Sequence, residues 1–177
     1  YFQEISYVRN PDYGWWDALT GTGWTARAAL FEELIFRGAI LYLLIRWIGI
    51  VKACILAGIA FGIYHWFSYE MFGRGFVPMT YVFLLTGASG WMFAYAFAKT
   101  KSLYAPFGLH LGWILISIVG FSEGPLGSQL FMPQGDAIEL EGWTTLLFFL
   151  WQTVIIPGLV TWYIVRSYVG SNWNYDD

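Results

Sequence analysis

Long apolar stretches alternate with short polar or glycine-containing segments along most of the chain. A transmembrane helix needs about 20 mostly apolar residues, and five stretches approach or exceed that length. They lie at residues 28–48, 52–69, 77–98, 103–121 and 143–165. The pattern predicts an all-α, polytopic integral membrane protein with about five transmembrane helices.

The residues that flank these stretches have a different character. Residues 1–25 contain three tryptophans among acidic residues and glycines, and amphipathic aromatic side chains favour the membrane–water interface. We therefore predict an interfacial N-terminal segment at 1–25, a helical membrane domain at 26–169 and a polar tail at 170–177. Thr25 is the expected N-cap of the first membrane helix.

The connection between the fourth and fifth stretches, residues 122–142, is rich in glycine and proline. A connection of this length is typical of a lid, a docking surface or a mobile loop. Its acidic residues are Glu123, Asp136, Glu139 and Glu141. In the last stretch, Pro157 followed by Gly158 predicts a kink, because proline lacks a backbone donor and clashes with the preceding turn.

Composition agrees with a membrane protein. Of 177 residues, 58% are hydrophobic and 12% are charged, whereas soluble domains contain about 25% charged residues. The net charge of −3 offers no basic stripe, which excludes nucleic acid as an expected partner. Cys54 is the only cysteine in the sequence, so no internal disulfide forms. The chain does not begin with Met, and we expect part of a longer protein with Tyr1-Phe2-Gln3 native.

The basic residues predict an orientation in the membrane. If the five stretches alternate in direction, one side collects Arg46, Lys52, Lys99, Lys101 and Arg166. Lys and Arg in short loops stay on the cytoplasmic side. The N-terminal segment and the 122–142 connection are therefore predicted to be non-cytoplasmic.

Three charged residues lie inside the first apolar stretch. Glu33 and Arg37 are four residues apart, so they share a helical face and can form an ion pair. Glu32 is turned about 100° from Glu33 by the helical period, which leaves it free to face a cavity. An ionisable side chain within a membrane helix indicates a functional site, although for Glu33 and Arg37 an ion pair that fixes helix packing is favoured over direct catalysis.

Two histidines, His65 and His110, lie in the second and fourth apolar stretches. Each stretch also has glycines four residues apart, Gly58 with Gly62 and Gly108 with Gly112, and small residues allow close packing of helices in lipid. Gly87 and Gly90 are expected to act similarly in the third stretch. These spacings favour a shared polar cluster of Glu32 with both histidines. The alternative is that each histidine only forms a hydrogen bond between helices.

These residues form an ordered set of motifs. Glu32-Glu33 with Arg37 matches EExxxR, Phe61 with His65 matches FxxxH, and His110 begins what is expected to be HxxxN. In this order, residues 25–120 resemble the CPBP family of intramembrane proteases, which comprises CAAX prenyl protease 2 and the bacteriocin-processing (Abi) enzymes. The sequence departs from the third motif, because Ile114 stands where the family has Asn or Asp.

The resemblance implies a hydrolytic mechanism. Glu32 and His110 would bind and deprotonate a water molecule, while His65 and the motif asparagine would stabilise the oxyanion. Glu33 and Arg37 would shape the site. An alternative for one Glu and two His is a divalent metal held by three ligands, although no HExxH motif supports it.

Ile114 cannot form a hydrogen bond, and loss of one oxyanion donor typically slows an enzyme by about 10²–10³. The indole of Trp113 and the hydroxyl of Ser117 are two expected substitutes for that donor. Each follows His110 closely enough to reach the same region of a helix.

Two classes of function remain open. The first is an intramembrane endopeptidase that acts on a membrane protein or a prenylated peptide. The second is a catalytically inactive homologue, a pseudoenzyme that serves as a membrane scaffold or a small subunit of a larger membrane complex. The aromatic content of 21% also suits contact with membrane lipids, or a bound lipid or pigment. A transporter is a weaker alternative, because the spans show no repeat.

Overall fold

The structure is a computed structural model in which residues 6–135 and 142–168 are described. The α-helices are α1 (Trp15–Arg37), α2 (Ala39–Ile48), α3 (Ile50–Ser68), α4 (Phe76–Thr100), α5 (Tyr104–Ile114), α6 (Trp143–Leu150) and α7 (Ile156–Ser167). π-Helical segments follow α5 (Leu115–Gly120) and α6 (Trp151–Ile155), and a 3₁₀ turn spans Gly124–Leu126. Two strands complete the fold, β1 (Ser6–Arg9) and β2 (Phe131–Gln134).

Several sequence predictions fall on residues outside the described part. These are the native status of Tyr1-Phe2-Gln3, the acidic residues Asp136, Glu139 and Glu141, and the polar tail at 170–177.

Three helical stretches within the described residues are long and apolar enough to cross a membrane. They are Ile50–Ser68, Phe76–Thr100 and Trp143–Ser167, and Tyr104–Gly120 is a shorter apolar helix. Large hydrophobic side chains lie on the outer surface, where Phe76 is 83% and Trp143 is 79% exposed. The chain is therefore an all-α, polytopic integral membrane protein, as predicted.

The first predicted span, residues 28–48, is wrong as a single helix. The structure has α1 and α2 instead, separated at Gly38. A Cβ at Gly38 would overlap the carbonyl oxygen of Leu34, so the chain can bend there only because residue 38 is glycine. The charged side chains of α1 therefore lie at the end of one helix rather than in the middle of a span.

Thr25 is not an N-cap, which corrects a second prediction. The first helix begins ten residues earlier, after Gly14, whose backbone N–H donates to Oδ2 of Asp17 over 2.8 Å. Thr25 lies buried within α1, where its hydroxyl donates to the carbonyl of Gly21 over 2.9 Å. The acidic side chain in the first turn provides the N-terminal stabilisation that was assigned to Thr25.

Helices α3 and α4 pack closely in antiparallel directions, as the glycine spacing of both stretches predicts. A Cβ at Gly58 would lie 2.8 Å from the carbonyl oxygen of Gly87. A Cβ at Gly90 would lie 2.7 Å from Cβ of Phe61, and one at Gly62 would approach a phenylalanine ring equally closely. Glycine at these positions sets the distance between the two helices.

The close helix packing predicted from the glycine pair of α5 is wrong. A Cβ at Gly108 or Gly112 would meet nothing within 4 Å. The residues that α5 buries are Pro106 and His110, and Gly108 lies two residues from each, on the opposite side of the helix. A polar side chain, rather than a glycine face, therefore occupies the interior surface of α5.

The apolar core lies where α2, α3 and α4 meet. Its buried members are Leu41, Ile45, Ala53, Cys54, Ala57, Ala94, Phe97 and Ala98. Small residues dominate the contribution of α3 and α4, in agreement with the close approach of those helices.

The N-terminal segment and the 122–142 connection contact each other through a short antiparallel ladder that the sequence did not predict. Strand β1 pairs with β2, so that Val8 lies opposite Met132. The ring centre of Phe121 lies 5.1 Å from the ring centre of Tyr7 and 5.3 Å from that of Phe131. The described part of the connection is thus attached to the chain that precedes α1.

The last predicted span is helical throughout but irregular. The π-helical segment Trp151–Ile155 ends immediately before Pro157, which lies in the first turn of α7. Proline cannot donate a backbone hydrogen bond to the preceding turn, and π-helical turns are a known source of kinks. The irregularity therefore lies just upstream of Pro157-Gly158, the place where the sequence predicts a kink.

Candidate active site

Three helices bring the ionisable residues of the membrane interior together. Glu32, Glu33 and Arg37 lie on the last turns of α1, His65 on the last turn of α3, and His110 in α5. All five side chains take part in one continuous set of contacts. The shared pocket predicted for Glu32 and both histidines is present.

Glu33 lies at the centre of the buried part of this cluster. Its Oε1 is 3.3 Å from Nη1 of Arg37, and both side chains are fully buried. The same oxygen accepts a hydrogen bond from Nδ1 of His110 over 2.8 Å. The predicted Glu33–Arg37 pair is therefore present, whereas the contact with His110 was not expected.

Arg37 connects the pair to α4. Its Nη2 donates to the carbonyl of Gly90 over 3.0 Å, and its guanidinium carbon lies 4.4 Å from the ring centre of Phe61. A planar guanidinium can donate in its own plane while an aromatic ring packs against its face. Arg37 thus holds α1, α3 and α4 in a fixed relation around the site.

His65 is oriented by its own helix. Its Nδ1 lies 2.8 Å from the carbonyl oxygen of Phe61. Because a carbonyl can only accept, this distance requires Nδ1 to carry the proton, and Nε2 of a neutral ring is then an acceptor.

His110 has the same arrangement. Its Nδ1 donates to the Glu33 carboxylate, so Nε2 of the neutral ring is again the acceptor nitrogen. The ring stacks on Phe93 at 4.9 Å, which fixes its plane.

The two acceptor nitrogens face one oxygen. Oε2 of Glu32 lies 3.8 Å from Nε2 of His110 and 4.0 Å from Nε2 of His65. These distances are too long for direct hydrogen bonds, and within the described residues this buried oxygen has no hydrogen-bond partner. Three acceptors around one point attract a donor, and a water molecule lying off the lines between them can donate its two hydrogens to two of the three.

Other polar atoms of the cluster support a hydrated pocket. Oε2 of Glu33 and both Nε and Nη1 of Arg37 are buried without hydrogen-bond partners in the part of the chain that the structure describes. Buried polar groups that lack protein partners are normally satisfied by ordered water. The cluster therefore presents a carboxylate and two imidazole acceptors, to which water can donate, within an apolar surrounding.

A cavity of about 130 Å³ adjoins the histidines. It is lined by Phe61, His65, Tyr69, Val82, Leu85, Thr86, Ser89, Phe93, His110, Trp113, Ile114, Ser117 and Ile118. Ile114, the position that departs from the third motif, thus lies beside the site, where its apolar side chain replaces a potential hydrogen-bond donor.

The two substitutes expected for that donor also border the cavity, but both are largely exposed. The hydroxyl of Ser117 donates to the carbonyl of Trp113 over 2.9 Å. Their predicted role stays a prediction.

The sequence analysis missed the contribution of α4. Thr86, Ser89, Gly90 and Phe93 lie at spacings of three or four residues, so they fall along one side of that helix. Gly90 accepts the bond from Arg37, Phe93 stacks on His110, and Thr86 and Ser89 line the cavity. The signal was present as polar residues at helical spacing within an apolar stretch.

No group of three or more His, Cys, Asp or Glu in residues 6–135 and 142–168 is arranged to hold a metal ion.

Comparison with known proteins places this region in context. A family model described as type II CAAX prenyl endopeptidase Rce1-like matches residues 14–116, more than half of the chain. The matched region includes α1 to α5 and therefore all the residues of the cluster. No curated protein and no solved structure matches the chain.

Proposed function

Because the chain belongs to the Rce1-like family of type II CAAX prenyl endopeptidases, we propose that it is an intramembrane endopeptidase in which Glu32 activates water. The observation that supports this most strongly is the position of Oε2 of Glu32, 3.8 Å and 4.0 Å from the acceptor nitrogens of His110 and His65. Water held there donates one hydrogen to Glu32 and the other to a histidine, and it is shielded from bulk solvent.

Glu32 is the general base of the proposed reaction. It takes a proton from the bound water as the water oxygen forms a bond to the carbonyl carbon of a peptide. The carbonyl π electrons move to oxygen and give a tetrahedral intermediate. His110 holds the water through Nε2 while Glu33 fixes the ring through Nδ1.

Collapse of the intermediate breaks the carbon–nitrogen bond. The oxyanion electrons re-form the carbonyl, and the departing nitrogen takes the proton that Glu32 received from water. The products are a carboxylic acid and an amine, and Glu32 returns to its ionised state. Glu33 and Arg37 do not touch the reacting atoms in this scheme, and they act as positioning residues.

The proposed substrate is a membrane-associated peptide. The site lies on helices surrounded by exposed apolar side chains, so a peptide anchored in the bilayer reaches it more readily than a soluble one. The description of the matched family names a prenyl endopeptidase, which makes a prenylated peptide the first candidate. No cofactor is needed for this chemistry, because water is the only co-reactant.

We further propose that the basic helix ends face the cytoplasm. Arg46 lies near the end of α2, Lys52 near the start of α3, and Lys99 near the end of α4. The antiparallel packing of α3 and α4 places the last two at the same end of the helical pair. His65 is near the other end of α3, so the site would lie closer to the non-cytoplasmic face.

Ile114 favours a second candidate function. An apolar side chain at the motif position removes one donor from the site and makes the adjoining cavity drier. The chain would then be a catalytically inactive member of the family that acts as a membrane scaffold or a subunit of a larger complex. A stoichiometric partner that co-purifies from native membranes would support this alternative.

Peptide cleavage in proteoliposomes tests the proposal. The substrates are a farnesylated peptide and the same peptide without the lipid, and mass spectrometry identifies the products. We expect the wild type to cleave the farnesylated peptide and Glu32→Gln to lose cleavage. Glu70→Gln is the control, because Glu70 is exposed beyond the end of α3. Equal cleavage by wild type and Glu32→Gln would contradict the proposal, and cleavage by neither favours the scaffold.

A further inference from the structure

The register of α3 and α4 places a hydroxyl opposite His65. Gly90 of α4 packs against Phe61 of α3, and the two helices are antiparallel. One turn further along, four residues later on α3 and four residues earlier on α4, the corresponding pair is His65 and Thr86. Both side chains line the cavity beside the site.

Thr86 is suited to act in this cavity. It is a buried residue, 8% exposed, in a helix that otherwise presents mostly apolar residues to its neighbours. Its hydroxyl donates to the carbonyl of Val82 over 2.7 Å. That carbonyl also accepts the backbone N–H of the next helical turn, so it keeps one hydrogen bond when the hydroxyl turns away.

We infer that Thr86 supplies the oxyanion hydrogen bond that an asparagine side chain would supply at position 114. The inference rests on the proposed hydrolysis. Rotation about the Cβ–Oγ1 bond moves the hydroxyl hydrogen from the neutral Val82 carbonyl towards the oxyanion as negative charge develops. A hydrogen bond to an ionised acceptor is about twice as strong as one to a neutral acceptor, which favours this exchange. No covalent bond to Thr86 forms or breaks.

Three other donors border the same cavity, and their environments distinguish them from Thr86. Trp113 is 36% exposed and Ser117 is also exposed, so neither is enclosed by the cavity as Thr86 is. Ser89 is half-buried and directly precedes Gly90, which packs against Phe61, so it lies about one helical turn from the level of His65. Thr86 therefore combines burial with proximity to His65, whose Nε2 is an acceptor and cannot itself donate to the oxyanion.

Kinetics of the variants test the inference in the proteoliposome assay described above. Thr86→Val removes the hydroxyl and keeps the shape, and we expect kcat to fall by about 10²–10³ with KM within about twofold. Thr86→Ser keeps the hydroxyl and should retain most of kcat. Thr100→Val is the matched control, because it removes a hydroxyl that bonds to the carbonyl four residues earlier in the same helix and lies outside the cavity, and its kcat should stay close to that of the wild type.

A second variant distinguishes loss of the hydroxyl from a folding defect. Adding Ile114→Asn to Thr86→Val restores a donor at the motif position, and we expect it to recover at least tenfold in kcat. Thermal unfolding in detergent should give similar midpoints for Thr86→Val and Thr86→Ser.

The failures of the two proposals are distinguishable. If the wild type shows Glu32-dependent cleavage and Thr86→Val keeps the wild-type kcat, the role of Thr86 is refuted and the hydrolysis stands. If Ser89→Ala loses activity and Thr86→Val does not, the donor is on the neighbouring hydroxyl instead. If the wild type shows no Glu32-dependent cleavage, both proposals fail.

Discussion

Nδ1 of His110 donates a 2.8 Å hydrogen bond to Oε1 of Glu33. The bond joins α5 to α1 and determines which nitrogen of the imidazole faces the pocket. Because Glu33 also pairs with Arg37 over 3.3 Å, one carboxylate serves two functions. It balances a buried cation, and it leaves Nε2 of His110 directed towards Glu32.

Replacing Glu33 should therefore destabilise the protein more than replacing its neighbour. Glu33→Gln removes the carboxylate in direct contact with the buried Arg37 charge, and loss of one member of a buried pair costs about 3–5 kcal/mol. Glu32→Gln alters the shape of its side chain as little as Glu33→Gln does. However, Oε2 of Glu32 has no hydrogen-bond partner among the described residues. We therefore expect Glu32→Gln to lower the free energy of unfolding by less than Glu33→Gln does.

Unfolding in mixed detergent micelles, followed by circular dichroism, measures the free energy of unfolding of the Glu33→Gln and Glu32→Gln variants. Equal destabilisation by the two variants would show that the buried Glu33–Arg37 pair contributes no more to stability than Glu32 does.

Close packing of α3 and α4 gives a second prediction. A Cβ at Gly58 would lie 2.8 Å from the Gly87 carbonyl oxygen, and backbone atoms cannot move aside as a flexible side chain can. Gly58→Ala should cost about 1–3 kcal/mol of unfolding free energy, the usual range for overpacking. Gly108→Ala is the control, because a Cβ there meets nothing within 4 Å, and it should be neutral or slightly stabilising.

The same unfolding measurement checks this pair of variants. A larger loss of stability for Gly108→Ala than for Gly58→Ala would contradict the helix packing described here.

The strand pairing predicts a specific cross-link. Val8 lies directly opposite Met132 in the β1–β2 ladder, and opposed residues have Cβ atoms about 4.5–5.5 Å apart, close to disulfide geometry. Cysteines at positions 8 and 132 should form a disulfide on mild oxidation. The native Cys54 is buried and should not compete.

A shift in gel mobility that is reversed by reductant detects the link. Cysteines at positions 8 and 134 are the control, because Gln134 pairs with Ser6 and is offset from residue 8. Preferential cross-linking of the control pair would contradict the register.

The fold was predictable where the apolar pattern was uninterrupted. The stretches 52–69 and 77–98 correspond to α3 and α4 within about two residues at each end, because length and hydropathy decide such helices. The start of α1 was not predictable in the same way. It depends on the local bond between Gly14 and Asp17, and glycines in its second turn resemble a loop in the sequence.

The short sheet and the break between α1 and α2 were not predicted from the sequence, and the reasons differ. Each strand is four residues long, and its pairing joins segments more than 100 residues apart, which no local pattern reports. Gly38 permits the break because a side chain there would overlap the Leu34 carbonyl, whereas the sequence around it continues the helical apolar pattern.

The candidate site was also predictable from the sequence only in part. Motif spacing was sufficient to predict the family, which is confirmed, and the helical period predicted the pairing of Glu33 with Arg37. The bond from His110 to Glu33 and the side of α4 that carries Thr86 depend on how helices dock. Such contacts are determined by tertiary packing rather than by the periodicity of one segment.

The proposed site requires Nε2 of both histidines to be an unprotonated acceptor facing Glu32, and nitrogen NMR measures this protonation state. The sequence contains two histidines, so labelling histidine with ¹⁵N gives two ring systems in micelles, without any need for a known substrate. We expect both rings to be neutral with the proton on Nδ1, and Glu32→Gln to shift both Nε2 resonances. A proton on Nε2 of either ring, or Nε2 resonances that ignore Glu32→Gln, would contradict the account.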